Sequence, residues 1–355
     1  MIIRAKAPMR ISFAGGGTDT EAYMKAYGGR VISTTINRYA YATVEEIPEK
    51  KIEIVSIDFG TRLGFPLASD VPLDGQLDLI KSAIRKLWPV EQRKNGIRVT
   101  TYSDVAPGSG LGSSSAMVVA LVGALSRYVG HRFASMYDVA ELAIRLERVE
   151  LGIKGGWQDQ YAAAFGGFNF IEFGPKVVVN SLRISRDTLN ELLYHLVLVN
   201  TGETRNAGRV SEELVKPTTE RPASQIEASH RQKALAVSMK EALLRGELER
   251  FGRLLHEGWL AKREMASQIT NPRIDELYEC GMRAGALGGK LLGAGGGGHM
   301  LFFIDPSQRR KLELALTDMG ATVVDFSFSF EGLETWQVAT SAREAHLAHV
   351  TGLGG

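Results

Sequence analysis

Apolar and polar side chains alternate through much of the chain from its N-terminus to Ile57. The alternation is plainest in Val31-Ile32-Ser33-Thr34-Thr35-Ile36, from Tyr39 to Val44 and from Lys51 to Ile57. A period of two puts every second side chain on one face, so these runs predict antiparallel strands. Ile2-Ile3-Arg4-Ala5-Lys6 reads as a further strand. Leu77 to Trp88 is helix-like, and the β-branched and aromatic run Ile97-Arg98-Val99-Thr100-Thr101-Tyr102 returns to strand. From Ser114 a helix-forming stretch extends to about Tyr128 despite its valines and Gly123. A second helix is expected from Ser135 to about Glu150, opened by a capping box of Ser135 with Asp138.

Gly167 bounds a strand from Phe168 to Phe173, and Leu196-Val197-Leu198-Val199-Asn200 reads as a buried strand opening a second domain. Polar helical stretches fill 224–245, 247–265 and 271–286, followed by strand, helix and strand across 299–328. Lys216 to Arg221, with Pro217 within it and Pro222 just after, is the segment expected to move. Residues 341–355 end in Thr-Gly-Leu-Gly-Gly and are expected to fray. The pattern is that of α+β domains.

Composition narrows the function. A chain of 355 residues suggests two domains with a sizeable core. Its 42 basic and 40 acidic side chains interleave, which argues against a nucleic-acid partner. The single cysteine, Cys280, excludes an internal disulfide and a cysteine-cluster metal site, and fits a reducing cytoplasm. No apolar run of about 18 residues is present to span a membrane, and the N-terminus lacks the apolar core of a signal peptide. His256-Glu257 opens like a zinc-protease motif, but Leu260 stands where the second histidine is required.

The chemistry concentrates in Pro107-Gly108-Ser109-Gly110-Leu111-Gly112-Ser113-Ser114-Ser115-Ala116. A strand precedes this run and a helix follows it, so its backbone N–H groups and the positive end of the helix dipole converge on one spot. That arrangement predicts a phosphate site. A Walker A loop would need Lys-Ser or Lys-Thr after the last glycine, and neither is there. A Rossmann fingerprint would need a second strand after the helix, whereas a second helix follows.

The loop resembles the central motif of the GHMP kinases, named for galactokinase, homoserine kinase, mevalonate kinase and phosphomevalonate kinase. Two further motifs similar to theirs occur in order: Lys6-Ala7-Pro8-Met9-Arg10-Ile11-Ser12-Phe13-Ala14-Gly15-Gly16-Gly17-Thr18-Asp19 and Lys290-Leu291-Leu292-Gly293-Ala294-Gly295-Gly296-Gly297-Gly298-His299. The three glycines before Thr18-Asp19 and the segment Gly155-Gly156-Trp157-Gln158-Asp159-Gln160-Tyr161 are similar to a subgroup acting on a phosphorylated heptose. The resemblance implies a two-domain α+β fold: an N-terminal ATP-binding domain over 1–190, S5-like with a left-handed βαβ crossover, and a ferredoxin-like domain over 191–340. It also implies a cytoplasmic kinase using ATP and Mg²⁺, with a phosphorylated sugar accepting at its anomeric hydroxyl. A free hexose kinase and a catalytically silent sugar sensor stand as alternatives, and a homodimer is compatible with either class.

Residue by residue, the resemblance makes Pro107 to Ser115 the cradle for ATP, with a hydroxyl of Ser113 or Ser114 offered to the metal. The second helix should supply an acidic ligand. Its apolar face is Val139, Leu142, Ala143, Leu146 and Val149. At about 100° per residue Glu150 falls within that face and Glu147 at its edge, so burial logic points to Glu150. The resemblance points to Glu147, five residues before Gly152, and Glu147 with Ser114 is the expected metal pair. Asp159 is the expected base or hydroxyl-orienting group, with Arg10 stabilising charge on the transferring phosphoryl group. Gly16, Gly17, Thr18, Asp19 and Gly156 should line the sugar site, with Gly295 and Gly296 closing it from the C-terminal domain. Galactokinases carry a glutamate at the position of Gly16; its loss opens space for a larger, phosphorylated sugar. Arg205 is the first candidate to receive that phosphate, ahead of Lys154, Arg30 and Lys290.

Overall fold

The computed structural model describes residues 1–203 and 207–339. Arg205 and the terminal segment 341–355 therefore lie outside the described residues. The elements run β1 (Ile2–Ala14), α1 (Glu21–Tyr27), β2 (Gly29–Ile47), β3 (Lys51–Ser56), β4 (Thr61–Pro66), α2 (Asp78–Leu87), β5 (Gly96–Ser103) and α3 (Ser113–Tyr128). Next come α4 (Met136–Ile144), a π-helical turn (Arg145–Glu150), α5 (Gln158–Phe165), β6 (Phe168–Phe173), β7 (Val178–Ser181) and α6 (Arg186–His195). The second half holds β8 (Leu196–Asn200), α7 (Ala207–Leu214), α8 (Ala223–Arg245), α9 (Leu248–Arg263), α10 (Pro272–Arg283), β9 (Ala286–Leu291) and β10 (His299–Ile304). It ends with α11 (Arg309–Asp318), β11 (Thr322–Val324), β12 (Phe328–Ser329) and β13 (Glu334–Gln337).

Two sheets organise these elements. The larger runs β13-β1-β2-β5-β3-β4, with β12 and β6 also pairing to β2 and β7 pairing to β6. The smaller runs β11-β8-β10-β9. The alternating runs at 31–36 and 39–44 belong to one 19-residue strand, and β1 carries the N-terminal motif from Lys6 as far as Ala14. Their antiparallel ladder shifts register at Pro8/Met9 and at Ser12/Ala14. A bulge at the second position turns the chain out of the sheet just before Gly15-Gly16-Gly17.

The expected antiparallel neighbour of β3 is only half right. β3 pairs antiparallel with β4 but parallel with β5, which inserts between β2 and β3. Alternation marks which residues face inward and says nothing about which strand lies alongside. β12 and β13 bring the chain back to the first sheet, against β2 and β1.

One hydrophobic core fills the space between the large sheet and helices α2 to α5, α8 and α9. A second lies under the small sheet, around Val197, Trp259, Leu277 and Phe302. α3 is buried from Val118 to Ser126. Each valine costs a helix under about 1 kcal/mol in propensity, while burying it contributes about 1.5–3 kcal/mol, so packing decides. The segment expected to be loose is tied at its end: buried Arg221 donates to Ser229 Oγ at 3.3 Å and to the Met265 carbonyl at 3.1 Å. No helix among the described residues is long and apolar enough to cross a membrane.

Candidate active site

A cavity of about 590 Å³ opens between residues of the two halves. Its walls come from β1 and the Gly15–Thr20 turn, the glycine loop with the start of α3, the stretch from Glu147 to Asp159, and parts of α7, α9 and β9.

The glycine loop arrives at the cavity as its sequence predicts. Gly112, in the left-handed region at φ 78°, caps α3, and Gly108, Gly110 and Gly112 to Ser115 line the space. Pro107 is exposed and outside the lining. Ser109 and Leu111 serve the loop from behind. Ser109 O accepts the backbone N–H of His299 at 3.1 Å and lies 2.7 Å from His299 Nδ1, while Leu111 is buried in the core. A Cβ on Gly110 would stand 2.8 Å from the Leu292 carbonyl. The glycine loop before α3 and the C-terminal glycine loop thus pack backbone to backbone. Burial pushes the His299 imidazole below its usual range, against the opposing bond to the Ser109 carbonyl.

Glu147, and not Glu150, is the carboxylate at this loop. It is 1% exposed and accepts from Ser114 Oγ at 2.8 Å, Ser115 Oγ at 2.8 Å and Gln160 Nε2 at 2.6 Å. Glu150 faces outward, taking a bond from Ser82 Oγ at 3.2 Å. The helical wheel fails because the helix does not stay α-helical. From Arg145 to Glu150 it is a π turn, whose i→i+5 bonds rotate each residue by less than an α-helix does. Val149, assigned by the wheel to the apolar face, is 71% exposed.

Arg10 and Asp159 meet across the cavity floor. The guanidinium Nε and Nη2 donate to Asp159 Oδ1 and Oδ2, each at 2.7 Å, and Nη1 donates to the Gly110 carbonyl at 2.6 Å. Asp19 stands on the other side. Its carboxylate accepts the backbone N–H groups of Gly17 at 2.8 Å and Gln158 at 3.0 Å. Burial pushes the Asp19 carboxyl above its usual range; the Gln158 N–H opposes the rise and the charge of Asp159 adds to it. A Cβ on Gly156 would stand 2.0 Å from Asp19 Oδ2, so glycine is required there for Asp19 to occupy its place. Thr18 lies behind the lining, its hydroxyl donating to the Gly15 carbonyl at 2.7 Å to close the turn.

Among the described residues, four basic side chains beyond Arg10 line the cavity: Arg148, Lys154, Lys262 and Lys290. Lys290, buried on β9, donates to the carbonyls of Ser12 and Phe13 at 2.7 and 2.8 Å, where the β1 bulge turns them from the sheet. Burial, reinforced by the charge of Arg10, pushes its ammonium down to about 7. Lys262 donates to the carbonyls of Leu291 and Gly293. Arg148 bonds the Gly156 and Ile153 carbonyls and Ser115 Oγ. Lys154 is exposed in the loop before Gly155. Arg30, paired with Glu172 at 3.5 Å, lies outside the lining. Gly295 and Gly296 also lie outside it, packed on Ile269, while Gly293 and Ala294 line the cavity.

Sequence reasoning missed Lys262, Arg148, Ser12 and Gln158. The last two were visible inside the quoted motifs. The first two carried no local signal, being ordinary polar positions on helical segments.

Residues 78–167 match the family described as GHMP kinases N terminal domain, and residues 239–322 match GHMP kinases C terminal. The chain belongs to the GHMP kinases, and is a phosphotransferase that uses ATP and a hydroxyl acceptor. The D-glycero-alpha-D-manno-heptose 7-phosphate kinase of Campylobacter jejuni is 37% identical to it over 95% of this chain and 99% of that protein. A crystal structure of a D-glycero-D-manno-heptose 1-phosphate kinase from Bacteroides thetaiotaomicron matches with TM-score 0.80 at 34% identity, over 95% of this chain and 99% of that one. An L-fucokinase/L-fucose-1-P guanylyltransferase from Bacteroides fragilis is 29% identical over 94% of this chain and 38% of that protein.

Proposed function

We propose that this chain transfers the γ-phosphoryl group of ATP to the anomeric C1 hydroxyl of D-glycero-α-D-manno-heptose 7-phosphate in the cytoplasm, giving the 1,7-bisphosphate for nucleotide-heptose synthesis. The observation that carries the reading is the Arg10–Asp159 pair, bonded to the phosphate loop through Gly110 and sharing one cavity with the buried carboxylate of Asp19. Phosphoryl transfer needs positioning and charge stabilisation more than covalent help. The loop from Gly108 to Ser115 cradles the nucleotide phosphates with backbone N–H groups. Asp19 accepts from sugar hydroxyls, holding the ring. Asp159, its carboxylate plane set by the fork of Arg10, orients the acceptor hydroxyl and takes its proton. Arg10 then faces the charge that develops on the transferring group.

Ser114 and Glu147 offer hard oxygen donors of the kind Mg²⁺ takes, and one or two protein ligands are its usual number, with water and phosphate supplying the rest. Bound there, Mg²⁺ would neutralise charge on the nucleotide phosphates. The names of the two heptose kinases differ over which phosphate the acceptor already carries, which makes product position the decisive readout. The test offers ATP with heptose 7-phosphate, heptose 1-phosphate, free heptose, fucose and galactose. ADP release should be fastest with the 7-phosphate, and phosphorus NMR should show the new ester at C1. Preference for a free sugar, or an ester elsewhere, overturns the reading.

A further inference from the structure

Residues 151–156 line the cavity in one unbroken run, and the loop they form is pinned on two sides. Arg148 Nε donates to the Gly156 carbonyl at 3.1 Å, and Nη1 to the Ile153 carbonyl at 3.3 Å. Gly155 packs on the same guanidinium, where a Cβ would stand 2.9 Å from Arg148 Cζ. On the other side the Trp157 N–H donates to the Asp19 carbonyl at 3.1 Å, and Gly156 leaves room for the Asp19 carboxylate. Across a trans peptide the carbonyl and the following N–H point in opposite directions. The Gly156 carbonyl is on Arg148, so the Trp157 N–H turns to Asp19; the Ile153 carbonyl is on Arg148 too, so the Lys154 N–H also turns from the guanidinium. The backbone N–H groups of Lys154, Gly155 and Gly156 have no hydrogen-bond partner among the described residues.

The other basic groups of the cavity are engaged by the protein. Arg10 is bonded to Asp159 and Gly110, and Arg148 to this loop and Ser115. Lys262 and Lys290 each donate to two backbone carbonyls. Lys154 is exposed, and its ammonium has no ion pair or hydrogen bond among the described residues. An unpaired ammonium beside three successive unpaired N–H groups is the makeup of an anion cradle. A kinase acting on a sugar phosphate brings two phosphate-bearing molecules into one cavity. The glycine loop before α3 serves the nucleotide, whereas the loop over 151–156 ends against Asp19, on the sugar side. We propose that Lys154, with the backbone N–H groups of residues 154–156, receives the phosphate that the sugar acceptor already carries. The proposal rests on the sugar-phosphate reading above and adds the residue that makes the phosphorylated sugar the better substrate.

The test uses the full chain with ATP, offering heptose 7-phosphate and free heptose to the wild type, Lys154→Gln and Lys154→Arg. Lys154→Gln should lower the ratio of kcat/KM for the 7-phosphate to that for the free sugar by about 10- to 100-fold, the range for a hydrogen bond to a charged group. The loss should lie in KM, and Lys154→Arg should restore most of the preference because it keeps the charge. Since Lys154 is exposed, added salt should erode the wild-type preference and leave that of Lys154→Gln nearly level. Equal loss on both sugars would mark Lys154 as a structural residue of the loop, and a raised KM for ATP alone would assign the cradle to the nucleotide; either overturns the proposal. An unchanged ratio, with the 7-phosphate still preferred, overturns it too and leaves the heptose reading standing. If the wild type prefers free sugars, the heptose reading falls instead, and inorganic phosphate becomes the probe. Inhibition that competes with the sugar and weakens in Lys154→Gln supports the cradle; its absence overturns the proposal.

Discussion

Arg10 and Asp159, 149 residues apart in sequence, form a two-pronged ion pair with both N···O distances at 2.7 Å. The remaining guanidinium nitrogen bonds the Gly110 carbonyl at 2.6 Å. One side chain therefore ties Asp159 and the glycine loop together. Only a planar fork does this; a lysine in its place is a single point charge.

Replacing Asp159 by Asn keeps the shape and removes the charge and the proton acceptor. Turnover should fall by about 10²–10⁴-fold, the usual contribution of a general base, with nucleotide affinity nearly unchanged. Steady-state kinetics alongside titration with a non-hydrolysable nucleotide checks both halves. Near-normal turnover would remove Asp159 from the chemistry.

The two glutamates should separate cleanly. Glu147→Gln alters a carboxylate bonded to Ser114, Ser115 and Gln160, so turnover should drop and the Mg²⁺ concentration for half-maximal rate should rise. Glu150→Gln touches an outward-facing group and should change both by less than about twofold, as surface substitutions do. Metal titrations of the two variants check this, and similar mild effects in both would show that phosphates and water hold the metal without Glu147.

Gly16 tests what the space beside Ser12 and Gln158 admits. With no positive φ to preserve, Gly16→Ala strains no backbone, and its Cβ would press on the movable end of Gln158 at 3.2 Å. Sugar KM should rise only severalfold. Gly16→Glu fills the gap entirely, and sugar use should fall by about a hundredfold or more, the equivalent of nearly 3 kcal/mol. Rates on the 7-phosphate and on any slower free sugar should fall together if the gap takes a hydroxyl. Selective loss of the phosphorylated sugar would mean that the gap faces the tail phosphate instead, as comparison with galactokinases suggests.

Lys290 makes stability depend on pH in a definite direction. Burial holds its ammonium near 7 in the folded chain, against 10.5 for an ordinary lysine. Between those values the unfolded chain binds the extra proton, so this group makes stability rise with pH from about 7 towards about 10.5 and withholds that gain as pH falls through its folded value. Lys290→Met lacks the dependence. Urea unfolding at pH 7 and pH 9.5 should show the wild type gaining on the variant at the higher pH; a gain for the variant would show that the ammonium is stabilised in place.

Local order in the sequence was enough for much of the molecule. Alternation and propensity located the strand at 97–102 and the helices over 114–128 and 224–245 to within a residue or two, because these features depend on neighbours in the chain. The glycine-serine run led to the expectation of an anion site for the same reason: a helix N-terminus exposes its N–H groups wherever it occurs. Resemblance in three short motifs then marked Arg10, Asp19, Glu147 and Asp159, which do gather around one cavity.

What the sequence left open was everything that depends on distant segments meeting. Alternation could not say that β5 enters between β2 and β3, since register and partner are set by packing across the sheet. The wheel misplaced Glu147 because a π turn changes the rotation per residue, and Glu147 takes bonds from the start of α3 and from Gln160 once inside. Gly156 is glycine because Asp19, from the other end of the domain, occupies the space of its side chain. Lys290 acquires its meaning only by burial beside the cavity, because the cost of a buried polar group depends on surroundings that no local pattern records.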